Sequence, residues 1–307
     1  MCSATVDVRI IFLTQTVIGT IGNSSLLCLY IFTLFTGHHL RPIDLISSQL
    51  VLANFVVLFS KYIPQIMAIW GWNYFLDDMR CKLIFYFYRA GTEMSFSTVC
   101  LFNGFQAIKL NPRICKWIEI KIRSIKFIGC CCLLSWFLHL SVNSFLPFVV
   151  NGPVYEKNLS VESNHVSCSW AKPAMHISFS TILYFSPDMM SLIFMIWASG
   201  MVILVIHRHK QRVQHIHSSS LSSSASYEAR ATLRILILVS FFTAFYSVYI
   251  ILKIWMTLAK NCCEWIANSS VLLLSCFPVF SPYVLLISDT RVSQVCFACR
   301  RRNKALP

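Results

Sequence analysis

Charged residues are scarce in this chain. Asp, Glu, Lys and Arg together make up 12% of the 307 residues, whereas 56% of the residues are hydrophobic. A soluble globular domain carries about 25% charged residues, so the composition excludes an ordinary soluble protein. The polar sequence is also too short to form a separate soluble domain. We therefore predict a single membrane domain over residues 1–307.

Sequence motifs of catalysis are also absent. The chain has no H-E-x-x-H, no G-x-S-x-G and no glycine-rich loop that could cradle a phosphate. No two acidic residues have a recognisable spacing for facing helices. Four histidines, His207, His209, His215 and His217, alternate with basic residues, and a solvated basic loop explains them better than a metal site. We predict a protein that is not an enzyme and holds no metal or cofactor.

Long apolar runs are what the sequence has in abundance. Seven of them contain at least the roughly 20 residues that a helix needs to cross a hydrocarbon core of about 30 Å. Backbone amides in lipid must be satisfied within their own segment, so such runs form helices. The predicted fold is an all-α bundle of seven transmembrane helices. Its spans are about 10–35, 45–70, 83–108, 127–150, 175–205, 235–258 and 265–287, followed by a tail at 288–307.

Basic residues mark one side of the membrane. Segments 36–44, 109–126, 206–234 and 288–307 lie on one alternating side and hold 17 of the 26 Lys and Arg residues. The positive-inside tendency makes that side cytosolic, so we predict the N-terminus outside and the C-terminus in the cytosol. No cleavable signal peptide is apparent, so the first span is expected to serve as the insertion signal. The net charge of +14 indicates attraction to anionic inner-leaflet lipid rather than to nucleic acid.

Several cysteines fall on the outer side. Cys81 lies at the outer mouth of the third span and Cys168 in the longest outer loop, so a disulfide between them would hold that loop over the bundle. The alternative is two unrelated free thiols. Cys262 and Cys263 also lie outside, but adjacent cysteines cannot readily pair with each other, so their partners stay open. Asn158 opens an N-x-S sequon in the outer loop and is a predicted glycosylation site.

Charged residues inside the spans are the candidate ligand-binding residues, because each costs about 2.5 to 3.5 kcal/mol on insertion scales. Arg89 and Glu93 are four residues apart on the third helix and can pair. Either they form a self-neutralising structural pair or they line a polar ligand cavity. Lys61 lies three residues before Pro64, where a kink could open the helix. Asp188 interrupts the fifth span and is expected to face the cavity or a cation of another helix.

A basic inner loop and the start of the sixth span carry a distinctive pattern. Residues 208–217 read R-H-K-Q-R-V-Q-H-I-H, and residues 228–232 read E-A-R-A-T. This pattern resembles the vomeronasal type 1 receptors, a family of seven-helix G-protein-coupled receptors for small chemosignals. Further matches extend along the chain, among them Gly22-Asn23, Leu52-Ala53-Asn54, Ile63-Pro64-Gln65, Cys81, Arg89, Gln106-Ala107-Ile108 and Ser281-Pro282.

The sequence departs from this family pattern at three places. Tyr62 stands where the family has Gly, residues 102–105 read F-N-G-F in place of Leu-Ser-Val, and Glu93 is not part of the pattern. A mid-helix glycine costs about 1 kcal/mol relative to alanine, so Gly104 is expected to loosen the inner part of the third helix. The departures leave the resemblance intact and bear on ligand specificity and signalling.

The resemblance implies a conformational switch without covalent chemistry. A small-molecule chemosignal would enter from outside among the third, fifth, sixth and seventh helices and favour the active arrangement. The inner ends of the third and sixth helices would then separate and admit an inhibitory-class heterotrimeric G protein at the plasma membrane. Four basic inner-loop residues would meet its acidic surface, or else serve only as topology markers: Arg113, Arg208, Lys210 and Arg212.

The alternative from another class is a small secondary transporter or channel. Such a protein is expected to contain an internal repeat, broken spans in matching halves and paired charges at the midplane. The sequence shows no repeat, and an odd number of spans does not divide into equal halves.

Overall fold

The computed structural model describes residues 2–36, 41–69, 78–110, 124–153, 168–170, 189–207 without 191, 195, 198, 202, 205 and 206, 240–255 without 253, and 264–289. Its helices are α1 Cys2–Phe35, α2 Pro42–Ile69, α3 Asp78–Leu110, α4 Ile125–Val142, α5 Leu192–Met201, α6 Ser240–Leu252 and α7 Glu264–Ser288. A 3-10 turn at Asn143–Phe145 and a helical turn at Leu146–Val149 follow α4. They lead to two antiparallel strands, β1 Val150–Pro153 and β2 Cys168–Trp170.

Several of these helices are apolar and long enough to cross a bilayer. Leu13–Phe35, Pro42–Ser60 and Ile125–Phe148 have the length and composition of a membrane span. Leu192–Met201, Ser240–Leu252 and Leu272–Ile287 are shorter apolar helices. The described residues therefore confirm a helical protein whose helices include several long and apolar enough to span a membrane, as the composition predicted. The number of spans and the sidedness of the two ends stay predictions.

The fourth span changes its type of helix before it ends. α4 ends at Val142, and a 3-10 turn and a helical turn continue the span to Phe148 before β1 begins at Val150. Pro147 has no backbone N–H, so it cannot continue the helical ladder to the carbonyl of Asn143. Hydropathy records only that the segment is apolar, so it does not detect this change of backbone structure.

The surface of the helices is apolar where a soluble protein would be polar. On α4, Leu133 and Phe137 are each 72% exposed, and Leu134 and Leu138 are more than half exposed. Isolated exposed apolar residues are ordinary, but a continuous apolar helix face requires an apolar environment. This face of α4 therefore fits contact with lipid hydrocarbon.

Glycines allow close approach between the central helices. α2 packs against α1, α3, α4 and α7, and α1 also packs against α7. A Cβ added at Gly91 of α3 would lie 2.9 Å from Val56 Cγ1 of α2, and one added at Gly22 of α1 would lie 2.8 Å from the Tyr283 ring of α7. Small residues at helix interfaces are a principal means of tight packing in membranes, where no hydrophobic effect drives helices together.

A polar junction joins four helices inside the bundle. Asn54 Nδ2 of α2 donates to Asn23 Oδ1 of α1 at 2.9 Å and to Ser281 Oγ of α7 at 3.0 Å. Ser95 of α3 donates to Asn54 Oδ1 at 3.4 Å. All four side chains are buried. Because these groups would be unsatisfied in hydrocarbon, their mutual hydrogen bonds fix the relative positions of the four helices.

A proline leaves a carbonyl of α7 without its helical donor. Pro282 has no N–H to donate to the carbonyl of Pro278, four residues earlier. Asn23 Nδ2 of α1 donates to that carbonyl at 2.9 Å and to the carbonyl of Gly19 at 2.8 Å. The side chain of one helix thus completes the backbone hydrogen bonding of another.

Candidate functional site

A buried ion pair lies on α3. Arg89 Nε is 2.8 Å from Glu93 Oε1, although its N–H does not point directly at that oxygen. Each residue is only 5% exposed. The spacing of four residues places both side chains on one helix face, as the sequence predicted.

Helix α4 and the turn after it supply the remaining partners of Glu93. Asn143 Nδ2 donates to Glu93 Oε2 at 2.7 Å, and His139 Nδ1 lies 3.2 Å from the same oxygen. His139 Nε2 lies 2.6 Å from Ser97 Oγ of α3. We call Arg89, Glu93, Ser97, His139 and Asn143 the Glu93 cluster.

Sequence reasoning missed His139 and Asn143. Their spacing of four residues within a mostly apolar run could have indicated a polar helix face, because residues four apart lie on the same face of a helix. What the sequence did not indicate is which helix that face meets. Asn143 also donates to the carbonyl of His139 at 2.8 Å, so the end of α4 holds its own polar side chains in place.

The Glu93 cluster balances its charges internally. Removing an ion from water costs several kcal/mol even after relaxation of the protein, so a buried pair needs both a counter-charge and hydrogen bonds. Glu93 obtains the charge from Arg89 and the hydrogen bonds from α4. Its carboxylate is therefore engaged in helix packing, and a ligand that meets the cluster must do so through Arg89 or displace an existing contact.

His139 links Ser97 to Glu93 in the same order as the histidine of a serine–histidine–acid catalytic triad. The surroundings of Ser97, however, do not suit acyl transfer. Ser97 lies in the interior of α3, where backbone N–H groups donate to carbonyls of the preceding turn. Such groups are not available as oxyanion donors, which acyl transfer requires. The relay geometry here connects two helices.

An aromatic cluster lies beside the Glu93 cluster along α3. Phe96 of α3 contacts Phe242 and Tyr246 of α6, with ring centroids 5.5 Å and 5.3 Å apart. Phe242 also makes an edge-to-face contact with Phe277 of α7 at 4.1 Å. Phe96 follows Glu93 by three residues, so apolar rings and a buried ion pair occupy neighbouring levels of α3. Pockets for small organic molecules typically combine such apolar walls with a few polar groups.

Tyr62 of α2 packs against Val279 of α7 and reaches α1 at the predicted outer side. It is 2% exposed, and its hydroxyl donates to Gln15 Oε1 at 3.4 Å. Gln15 Nε2 in turn lies 3.8 Å from Cys276 Sγ of α7. Lys61 is the preceding residue of α2, and its side chain lies outside the described residues.

The N-terminal end of α3 carries a disulfide. Cys81, in the first turn of that helix, is disulfide-bonded. Strand β1 packs against α3 and pairs with β2, which begins at Cys168. The fold thus brings the segment of Cys168 towards α3, while the pairing of Cys81 with Cys168 stays a prediction.

Other predicted residues lie outside the described part of the chain. They are Asp188, Asn158, Cys262, Cys263, Arg113, Arg208, Lys210 and Arg212. Among the residues that are described, no group of three His, Cys, Asp or Glu side chains could hold a metal ion.

Comparison with known proteins identifies the family. The model of the vomeronasal organ pheromone receptor family matches residues 6–298. The chain belongs to this family. Membership confirms the resemblance seen in the sequence and makes the protein one of a family of receptors rather than enzymes.

The similar proteins match nearly the whole chain. "Vomeronasal type-1 receptor 1" of Homo sapiens is 55% identical over 296 residues, which are 96% of this chain and 84% of the relative. "Vomeronasal type-1 receptor 4" of Pongo pygmaeus is 40% identical over 290 residues, 94% of this chain and 96% of the relative. "Olfactory receptor class A-like protein 1" of Danio rerio is 25% identical over 305 residues, 96% of this chain and 93% of the relative.

Proposed function

We propose that this member of the vomeronasal pheromone receptor family binds a small-molecule chemosignal from outside the cell and activates an inhibitory-class heterotrimeric G protein. The protein crosses the plasma membrane seven times, with its N-terminus outside and its C-terminus in the cytosol. Family membership is the observation that carries this proposal. The buried ion pair beside an aromatic cluster supports a small organic ligand with at least one polar group.

The ligand site lies among α3, α5, α6 and α7. Arg89 and Glu93 are its central residues, and Lys61 and Asp188 contribute from α2 and from the fifth span. The proximity of Glu93 to Phe96, which contacts α6, supports this location. A bridge between Cys81 and Cys168 holds the outer loop, and Asn158 in that loop is glycosylated.

Signalling follows from a shift between two arrangements of the bundle. A ligand shifts this equilibrium only as far as it binds the active arrangement more tightly than the resting one. The inner ends of α3 and α6 separate in the active arrangement and admit the G protein. Arg113, Arg208, Lys210 and Arg212 meet its acidic surface.

Coupling to a reporter tests this function. Cells that express the chain with a chimeric G protein are screened with small odorants and steroids for calcium responses. A ligand that activates the wild type is then applied to Arg89→Ala, for which we expect at least a tenfold higher half-maximal concentration. Arg80→Ala, the same substitution at an exposed residue of α3, is the matched control and retains the wild-type response.

Surface staining of each variant separates loss of binding from loss of folding. A response of Arg89→Ala at wild-type concentrations removes Arg89 from the ligand site. No response of the wild-type receptor to any ligand, with normal surface expression and several G-protein classes, contradicts the proposed function itself.

A further inference from the structure

Both ring nitrogens of His139 face oxygen atoms of α3. Nδ1 lies 3.2 Å from Glu93 Oε2, and Nε2 lies 2.6 Å from Ser97 Oγ. The His139 side chain is only 15% exposed. A neutral imidazole has one N–H donor and one acceptor nitrogen, whereas a protonated imidazole has two donors. The two oxygen atoms therefore decide which form of His139 the site can hold.

These oxygen atoms fit either form of His139 without moving. The carboxylate of Glu93 can only accept a hydrogen bond, so Nδ1 carries a proton in both forms. The hydroxyl of Ser97 donates to a neutral Nε2, or rotates and accepts from a protonated Nε2. Histidine is the side chain whose charge ordinarily changes between pH 5 and 8. His139 can thus become charged beside Glu93 and keep both hydrogen bonds.

Glu93 is one anion with two possible counter-charges. Arg89 Nε lies 2.8 Å from Oε1, and His139 lies beside the other carboxylate oxygen, Oε2. Within the described residues these are the two ionic contacts of Glu93. With Arg89 in place, a protonated His139 would add an excess positive charge to a buried site, which is unfavourable. Arg89 therefore opposes protonation of His139, and loss of the Arg89 contact favours it.

Other groups that reach α4 at this level are uncharged. On α3, the hydroxyl of Tyr86 donates to the carbonyl of Leu140, the residue after His139. On α2, Gln49 accepts a hydrogen bond from Trp136 Nε1 at 3.0 Å. A phenol and an amide are both neutral at neutral pH. The charge at His139 consequently depends on how Arg89 and Glu93 are paired.

We propose that His139 is a second counter-ion of Glu93, neutral while Arg89 balances the carboxylate and protonated when Arg89 is drawn away. A ligand that draws Arg89 from Glu93 then binds together with a proton. This consequence rests on the proposed function, which places Arg89 in the ligand site. The exchange of counter-ions itself is a property of the folded bundle. His139 acts through Glu93 and Arg89, so it is a positioning residue.

Removing Arg89 tests the exchange of counter-ions without a ligand. Melting temperatures of the full chain in detergent are compared at about pH 5.5 and about pH 7.5, on either side of ordinary histidine titration. We expect acidification to raise the melting temperature of Arg89→Gln by at least about 3 °C relative to the wild type. Protonated His139 supplies the missing charge in acid, and this stabilisation is lost as the pH rises. The double variant Arg89→Gln/His139→Gln should show no such gain.

Two further variants complete this test. Lys82→Gln is the matched control, because it removes the cation of an exposed ion pair with the same spacing on α3. Its melting temperature is expected to respond to pH as the wild type does. Arg89→Gln/His139→Lys carries a fixed positive charge at position 139, so it should be as stable at neutral pH as Arg89→Gln is in acid. This variant also decides the case in which Arg89→Gln alone does not fold.

The pH dependence of ligand potency tests the coupled proton. The odorant or steroid identified in the reporter screen is applied at an external pH of about 6.0 and about 7.5. In the wild type, the half-maximal concentration should be at least about 5-fold lower at the acidic pH. In His139→Gln it should be the same at both. Glutamine keeps one donor and one acceptor, as neutral histidine does, but it cannot take up the proton.

The melting temperatures alone can overturn the role of His139. It is wrong if acid stabilises Arg89→Gln no more than the wild type, or equally in the double variant with His139→Gln. It is also wrong if Arg89→Gln/His139→Lys is no more stable than Arg89→Gln at neutral pH, or if neither variant folds. Equal pH dependence of potency in the wild type and His139→Gln removes the coupled proton. A receptor that responds to no ligand contradicts the proposed function and leaves the melting-temperature result standing.

Discussion

Among single residues, Glu93 shows what a charge buried in a helix bundle requires. Its carboxylate faces Arg89 on one side and Asn143 and His139 on the other. Glu93→Gln removes the negative charge and leaves Arg89 buried without its counter-charge. We expect the receptor to lose about 3–5 kcal/mol of stability, seen as a marked drop in its melting temperature in detergent.

The same helix offers a matched control for this variant. Asp78 and Lys82 form an ion pair of the same spacing at 2.6 Å, but the Asp78 side chain is 59% exposed. Exposed pairs contribute about 1 kcal/mol or less, so Asp78→Asn is expected to change the melting temperature little. Equal effects of Asp78→Asn and Glu93→Gln would contradict the argument that burial makes the Glu93 pair essential.

The sequence predicted part of this cluster and could not predict the rest. Arg89 and Glu93 are separated by one helical turn, and that spacing alone brings them together. Asn143 lies 50 residues from Glu93, and its position depends on how α4 rotates against α3. Helix rotation is set by packing along the whole interface, and the nearly uniform apolar sequence of α4 contains little information about it.

At the scale of helices, the Asn23 contact to α7 makes a prediction about pairs of variants. Asn23→Leu leaves the carbonyl of Pro278 without a donor and should lower the stability of the receptor by about 1–3 kcal/mol. Pro282→Ala restores a backbone N–H that can donate to that carbonyl. We therefore expect Asn23→Leu to cost less in the Pro282→Ala background, as measured by melting temperatures of the two single variants and the double variant.

Asn23→Leu is still expected to lower the stability somewhat in the Pro282→Ala background, because two other hydrogen bonds of Asn23 are lost. Asn23 also donates to the carbonyl of Gly19 and accepts a hydrogen bond from Asn54, and Pro282→Ala replaces neither. Strictly additive effects of the two substitutions would show that the Asn23 amide does not compensate for Pro282.

Hydropathy predicted the existence of the helices better than their ends. α3 was recognised although it carries many polar residues, because its apolar residues extend over the length of a span. The fourth span was predicted to end at about residue 150 and is helical to Phe148, but the 3-10 turn at Asn143–Phe145 within it was not predicted, because hydropathy does not distinguish kinds of helix. Pro282 of α7 and Asn23 of α1 were visible in the sequence as separate residues. That Asn23 supplies the donor that Pro282 lacks depends on tertiary structure.

For the whole molecule, an odd number of spans makes a simple prediction. Epitope tags at the two ends should differ in access when intact cells are stained, with only the N-terminal tag accessible. Both tags should stain after permeabilisation, which serves as the internal control. Staining of both tags in intact cells would contradict the predicted topology.

The sequence predicted that the surface of the molecule is apolar, but it did not predict which polar side chains meet in the interior. A chain with 12% charged residues has too little charge to cover a soluble surface, which indicated lipid as its solvent. The junction of Asn23, Asn54, Ser95 and Ser281 joins segments far apart in sequence. Only the folded arrangement shows that these four residues meet.

The missing amide proton of Pro282 gives α7 a hinge point, and the side-chain amide of Asn23 restrains this hinge from α1. Bending α7 at this level must either move α1 with it or break the hydrogen bond of Asn23. Helix α1, which is not expected to touch a ligand, therefore takes part in deciding how easily α7 bends. We expect natural variation at residue 23 to change how readily the receptor responds, whatever molecule occupies its binding site.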